Sequence, residues 1–336
     1  MGSIDSTSSI EIKNLSSYIG RIDIGIARAV ESDSPHLTKQ LSRVTKNMGK
    51  RLRPKILLAL VAGLNNVVDD SVISSCVAVE LVHMASLIHD DIIDESDFRH
   101  GAPTISNLEG INNAIVDGDY LLAKACLEGI KVNSEVGQKI AEAITRLCEG
   151  QSLEMNMKYD LNRTKSNYLE TISGKTASLF ASTCEIAGIC SRLDKRSINH
   201  LKDYGHNFGM AFQVLDDLAD LMSTTELLGK ETGNDIKEGV YTLPIIIGLN
   251  SSQKESVKSF IKQSVSSHDK LNKLLVSSNA VSDSIEFVHE CNKKAKESLS
   301  KLNKNKQLAS LIEFPRNYEN FITAKLLTLP DKALSI

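Results

Sequence analysis

Two aspartate runs of identical spacing stand far apart in this 336-residue chain: Asp90-Asp91-Ile92-Ile93-Asp94 and Asp216-Asp217-Leu218-Ala219-Asp220. Each lies inside an apolar stretch, 81–93 and 208–221, where solvated acids are not expected. Carboxylates four positions apart share one face of a helix, about 6 Å along its axis. Two such faces brought opposite each other would make a strongly negative pocket, unfavourable until cations fill it. Ligation by carboxylate oxygens alone suits Mg²⁺, which keeps several waters and shares its remaining positions with substrate phosphates.

The surroundings extend that chemistry. His83 lies two helical turns before Asp90, on the same face, and His89 adjoins it. Glu95, Asp97, Arg99 and His100 follow in a loop. Gln213, Asp216, Asp217 and Asp220 fall at helical spacings that make one stripe. Lys50 and Arg53 stand in a glycine turn ahead of a helix, Lys175 sits between Gly174 and Thr176, and Lys230 follows Gly229 just beyond the second run. Any one of these cations reads as a surface residue. Beside Mg²⁺-type carboxylates they form a set suited to a diphosphate, which needs direct Lys and Arg donors as well as bridging metals. The spacings Glu80-x-x-His83 and Glu286-x-x-His289 also match the helix-borne ligands of di-iron bundles. That alternative needs further Glu ligands from two other helices and explains neither the Asp runs nor the cations.

The elements that must position these groups are helices. Apolar spacing predicts helical stretches over 11–45, 55–62, 72–94, 113–131, 134–158, 166–189 and 195–222. Asp69, Asp70 and Ser71 supply caps for the 72–94 helix, and Pro54 suits a first helical position. A polar glycine-bearing segment over 223–243 reads as a functional loop. Another helix starts near Thr242, and 251–310 keeps a helical period with a polar face. With 41% hydrophobic and 24% charged residues, no Trp and only six Pro, the chain is expected to form one all-α domain over 11–336 behind a frayed tail, 1–10. The net charge of −3 gives no nucleic-acid footprint. Six cysteines without a C-x-x-C pair, among apolar neighbours, read as buried thiols in a reducing compartment. Neither a signal peptide nor an apolar run of membrane-spanning length is apparent, so a cytoplasmic protein is expected.

The motifs together resemble the trans-isoprenyl diphosphate (polyprenyl diphosphate) synthases. The resemblance runs from Gly49-Lys50-Arg51-Leu52-Arg53-Pro54 through His89-Asp90-Asp91-Ile92-Ile93-Asp94-Glu95-Ser96, Gly118-Asp119, Gly174-Lys175-Thr176-Ala177 and Phe212-Gln213-Val214-Leu215-Asp216-Asp217 to Tyr241-Thr242-Leu243-Pro244. It implies a single bundle of long helices around a deep central cavity, usually a homodimer. It implies that Asp90 and Asp94 hold Mg²⁺ on an allylic diphosphate, with Asp91 in the same motif. Asp216 would hold another Mg²⁺, supported by Asp217 and Asp220, with three ions per site in all. Arg99, Lys175, Thr176, Gln213 and Lys230 would contact the allylic substrate; Lys50, Arg53, His83 and His100 would bind isopentenyl diphosphate. Product release implies peripheral contact with a membrane.

The chain departs from the family in two places. Arg99-His100 replaces the usual pair of arginines, and Val240-Tyr241 stands where many members carry Lys-Pro. Product length in the family depends on what plugs the cavity below the first Asp run. The positions that carry bulky aromatics in short-chain members are Ala85 and Ser86 here. A medium or long product, about C30 to C50, is therefore expected from the resemblance. The alternatives are a C20 geranylgeranyl diphosphate synthase, a subunit of a heteromeric synthase, and a terpene cyclase.

Overall fold

The computed structural model describes residues 12, 14–46, 49–64, 66–99, 101–222, 233–262, 268–302 and 306–327. The expected tail 1–10, His100 and Lys230 lie outside the described residues. The fold is all-α, and among the described residues the strands are limited to a two-residue hairpin, Phe98–Arg99 against Ala102–Pro103. Contacts divide the chain into two interleaved compact units. One takes the chain up to Thr145 together with Leu179–Gly205 and Ser298–Ile312; the other takes Arg146–Ser178, His206–Glu297 and the chain from Glu313 on.

The first unit is built on helix α4, Asp70–Ile93, which packs along α6, Ile111–Val132, and is flanked by α1, Leu15–Ala29, and α3, Leu52–Gly63. Asp69 caps α4 by accepting from the Val72 amide, as its sequence signal predicts. By length and apolarity α4 would meet the description of a membrane span, which the sequence reading did not anticipate. Most of it is buried inside the protein, so it is a core helix. The stretch expected as one helix over 11–45 is two, α1 and α2, Pro35–Lys46. Pro35 cannot continue a helix from the preceding turn, because it lacks the amide donor and its ring clashes with the preceding carbonyl. Ser34 accepts from the Leu37 amide and Thr38 from the Ser32 amide, which closes the new start. The unit also holds α5, Ile105–Glu109, the opening turns of α7, Ser134–Asn156, and α9, Ser178–Cys190.

The second unit takes the rest of α7, then α8, Lys165–Ile172, and a π-turn, Ser173–Ala177. The sequence reading had one continuous helix over 166–189, whose period gives no sign of the bulge. The long helix α10, Lys195–Met222, ends in this unit, followed by α11, Asn234–Lys237, and α12, Leu243–Leu249. Helices α13, Lys254–Lys262, α14, His268–Ser277, α15, Ala280–Ser300, and α16, Lys306–Leu327, complete the described chain. Phe208 and Phe314 lie with ring centroids 5.2 Å apart, and Phe212 stacks on Tyr318 at 5.2 Å. This aromatic cluster supports the part of α10 that carries the second Asp run. Pro315 inside α16 leaves the Leu311 carbonyl without its helical donor, and the buried Tyr204 hydroxyl donates to that oxygen at 2.9 Å. All six cysteines are free; Cys148 is exposed, against the expectation of burial, because it lies on the outer face of α7.

Candidate active site

In the first unit α4 ends at the first Asp run. Asp94 leaves the helix with φ −95°, and its amide donates back to the Asp90 carbonyl. The three carboxylates separate. Asp91 is buried and accepts from Arg99 Nε at 2.6 Å, while Asp90 and Asp94 remain partly exposed. The small hairpin aims Arg99 back at Asp91. The start of the run is set by α6: the His89 ring lies so close over Gly118 that a Cβ there would fall 2.1 Å from His89 Nε2. Only glycine allows that approach. His89 Nε2 also lies 3.4 Å from the Ile115 carbonyl oxygen.

The basic turn is pinned by Arg51. Its backbone is left-handed at φ 52°, and its buried guanidinium donates to Asp23 at 2.9 Å and to Glu80 at 3.1 Å. Burial pushes the Glu80 carboxyl up, and Arg51 and Arg53 pull it back. Glu80 and Asp23 together hold the Arg51 guanidinium. His289 pairs with Glu319 at 2.9 Å, and among the described residues no three His, Cys, Asp or Glu groups gather as the di-iron alternative requires. The Arg53 guanidinium lies 4.3 Å from the Phe180 ring centroid, a cation–π contact that orients it. Lys50 is exposed and His83 half-buried. Ala85 is fully buried and Ser86 half-buried, its hydroxyl turned back to the His83 carbonyl at 2.8 Å.

In the second unit the π-turn and α10 carry one continuous network. Gly150 of α7 and Gly174 touch backbone to backbone; a Cβ on Gly150 would lie 2.3 Å from the Lys175 nitrogen. Lys175 Nζ donates to Glu154 at 2.5 Å. Thr176 Oγ1 donates to Gln213 Oε1 at 2.6 Å, and Gln213 Nε2 donates to Asp217 Oδ1 at 2.8 Å. The buried Tyr168 hydroxyl donates to the other Asp217 oxygen at 2.5 Å. Pi-turns of this kind cluster at functional sites because they re-aim side chains. Lys175, Thr176, Gln213 and Asp217 are therefore brought together. Asp216 points outward, whereas Asp217 and Asp220 are buried, so the expected single stripe divides.

Burial pushes the Asp217 carboxyl up to about 6, against the two donors that hold it down. Asp235 is also raised well above the usual carboxylate range, by burial first and then by Asp217, Asp220 and Glu154. Four carboxylates crowd one neighbourhood, and a divalent cation would relieve them. Among the described residues no three His, Cys, Asp or Glu groups form an all-protein metal cage. Oxygen donors that leave positions to water and phosphate are what Mg²⁺ takes. The donor set fits the ion.

Glu154, Tyr168, Arg163 and Asp235 belong to this neighbourhood and were missed from the sequence. Buried Arg163 donates to the Tyr241 carbonyl at 3.2 Å and to Thr171 at 2.9 Å, fixing the loop that carries Val240. Asp235 lay in the glycine-bearing loop already singled out. Tyr168 gave no signal, since an aromatic at helical spacing reads as core.

The polyprenyl synthetase family model matches residues 34–277. A geranylgeranyl diphosphate synthase of Methanosarcina mazei is 36% identical over 251 residues, 73% of this chain and 76% of that one. Component 2 of the heptaprenyl diphosphate synthase of Geobacillus stearothermophilus is 34% identical over 240 residues, 71% of this chain and 75% of that one. The crystal structure of a polyprenyl synthase from Caulobacter crescentus, complexed with calcium and isoprenyl diphosphate, superposes with a TM-score of 0.84 at 28% identity, covering 95% of this chain and 97% of that one. The chain belongs to the polyprenyl synthetase family and is a prenyl-transferring enzyme, a polyprenyl diphosphate synthase.

Proposed function

We propose that the enzyme condenses isopentenyl diphosphate head-to-tail with an allylic diphosphate in a Mg²⁺-dependent reaction, giving an all-trans polyprenyl diphosphate of about C30 to C50 by family resemblance. The observation that carries this reading is the Lys175–Thr176–Gln213–Asp217 network, a cation and a carboxylate held ready on rigid helices. Divalent cations, when bound, neutralise charge on the departing diphosphate. Asp90 and Asp94 would hold one ion, and Asp216, with Asp217 and Asp220 in support, would hold another. Lys175 would exchange Glu154 for diphosphate oxygens, with Arg99, Thr176, Gln213 and Lys230 as further contacts. The allylic C–O bond breaks with its electron pair going to the diphosphate. The double bond of isopentenyl diphosphate, held by Lys50, Arg53, His83 and His100, then forms the new carbon–carbon bond, and the proton lost goes to the released diphosphate. Apolar helix walls keep water from the cation.

Chain length rests on Ala85 and Ser86, small residues one helical turn below Asp90. The relatives carry names of both C20 and longer products, so a C20 product is the second reading. The synthase component among them makes a heteromeric subunit the third. We place a second copy of this chain against α5 and α6, where Leu108, Ile111, Ile115, Val116, Leu127 and Ile130 are exposed. The free thiols support a reducing, cytoplasmic location. The purified chain, given isopentenyl and farnesyl diphosphates with Mg²⁺, is expected to yield an elongated diphosphate. Hydrocarbon would mean a cyclase, and no product without a partner would mean a subunit.

A further inference from the structure

The π-turn is joined to α10 by a second contact besides the Thr176–Gln213 bond. Ser173 Oγ and His206 Nε2 lie 3.0 Å apart. A hydroxyl both donates and accepts, so the contact holds in either tautomer of the ring. His206 and Gln213 are seven residues apart, two turns along one face of α10. Ser173 opens the π-turn and Thr176 lies three residues on, so two rungs bracket Lys175. A third hold comes from α7, where a Cβ on Gly174 would fall 2.7 Å from the Arg146 carbonyl oxygen. Such a turn needs holding, because it inserts one residue into an α-helical ladder, a rare arrangement. Reversion to regular helix would rotate one side of the turn against the other by about 100°. That rotation would carry the Lys175 ammonium away from Glu154, which it reaches at 2.5 Å.

We propose that His206 is a positioning residue for prenyl transfer: through Ser173 it locks the register of the π-turn, and thereby the aim of Lys175 at the allylic diphosphate. The proposal deepens the prenyl-transfer reading and rests on it. Lys175 is a long, flexible side chain, and fixing it costs rotamer freedom. Its backbone anchor therefore decides how well its charge meets the diphosphate oxygens. The Thr176–Gln213 bond anchors the turn after Lys175 and joins it to Asp217. The Ser173–His206 contact anchors it before Lys175. One anchor leaves a pivot; two fix an orientation. His206 is half-buried, and this role requires of it neither proton transfer nor contact with substrate.

The test is a double-mutant cycle in the full-length enzyme, using farnesyl and isopentenyl diphosphates with Mg²⁺. His206→Phe keeps the bulk of the ring and removes its nitrogens. It is expected to lower kcat/KM for the allylic substrate on the order of tenfold, with KM for isopentenyl diphosphate unchanged. His206→Gln, whose amide can reach the hydroxyl, should recover part of the loss. Ser173→Ala should reproduce the loss, and it carries the comparison if the phenylalanine variant does not fold. In a Lys175→Gln background the same substitutions should change little, because His206 acts through Lys175. Titration calorimetry of inorganic diphosphate with Mg²⁺ reads the same cycle without turnover, and there too the effect of His206→Phe should vanish with Lys175. Equal losses with and without Lys175 overturn the proposal alone, as does wild-type kcat/KM in both His206→Phe and Ser173→Ala. A wild type that elongates nothing overturns the reading beneath it.

Discussion

Replacing Tyr168 with Phe removes one oxygen and leaves the ring. That oxygen donates at 2.5 Å to an Asp217 carboxylate whose other oxygen is held by Gln213 at 2.8 Å. A hydrogen bond to an ionised group contributes about 1.5–3 kcal/mol, and at about 1.4 kcal/mol per tenfold its loss weakens what depends on ionised Asp217 by roughly 10- to 150-fold. The sign follows from which form is favoured. Tyr168 stabilises the charged carboxylate, so its loss raises the Asp217 pKa above the present value of about 6. At about 1.4 kcal/mol per unit, the shift is about one to two units. The acid limb of the pH–rate profile should therefore move upward, and half-maximal activation should need more Mg²⁺. Steady-state elongation measured across pH 5–9 and across Mg²⁺ concentration reads both. A Tyr168→Phe enzyme with the wild-type acid limb and the wild-type Mg²⁺ requirement would refute the argument that this network prepares Asp217 for a cation.

Other consequences are as direct. Asp217 and Asp235 hold protons in acid that a cation must displace, so Mg²⁺ should raise Tm more at pH 7.5 than at pH 5; equal shifts in scanning calorimetry would contradict this. Gly118→Ala puts a Cβ 2.1 Å from His89 Nε2 and should cost about 1–3 kcal/mol in denaturant unfolding while lowering activity through the displaced start of the Asp run. Tyr204→Phe leaves the Leu311 carbonyl without its donor and should cost about 1–3 kcal/mol with kcat unchanged. Ala85→Phe should shorten the product seen by chromatography, and an unchanged length would remove the assignment of Ala85 to chain length.

The sequence made the helices legible where apolar period and punctuation agreed. Asp69 capped α4 as read, and α10 runs over the same residues as expected. It failed at Pro35, where an apolar period ran on through a residue that breaks it, and at the π-turn, which inserts a residue without changing the pattern. The carboxylates of the two runs were visible because their type is costly inside apolar stretches, and the cations drew notice only beside them. Their partners were not. Glu154 and Tyr168 look ordinary in the chain, and only packing reveals that one holds Lys175 and the other Asp217. Likewise Asp91 and Asp90 are indistinguishable in sequence, yet Asp91 is turned inward onto Arg99.

The central claim is prenyl transfer with chain elongation by this chain alone. Purified protein incubated with labelled isopentenyl diphosphate, farnesyl diphosphate and Mg²⁺, followed by sizing of the dephosphorylated products, tests it most directly. The account expects a Mg²⁺-dependent series of all-trans alcohols ending at about C30 to C50. Products ending at C20 would contradict the chain-length assignment, and a labelled hydrocarbon, or no incorporation at all, would contradict the claim itself.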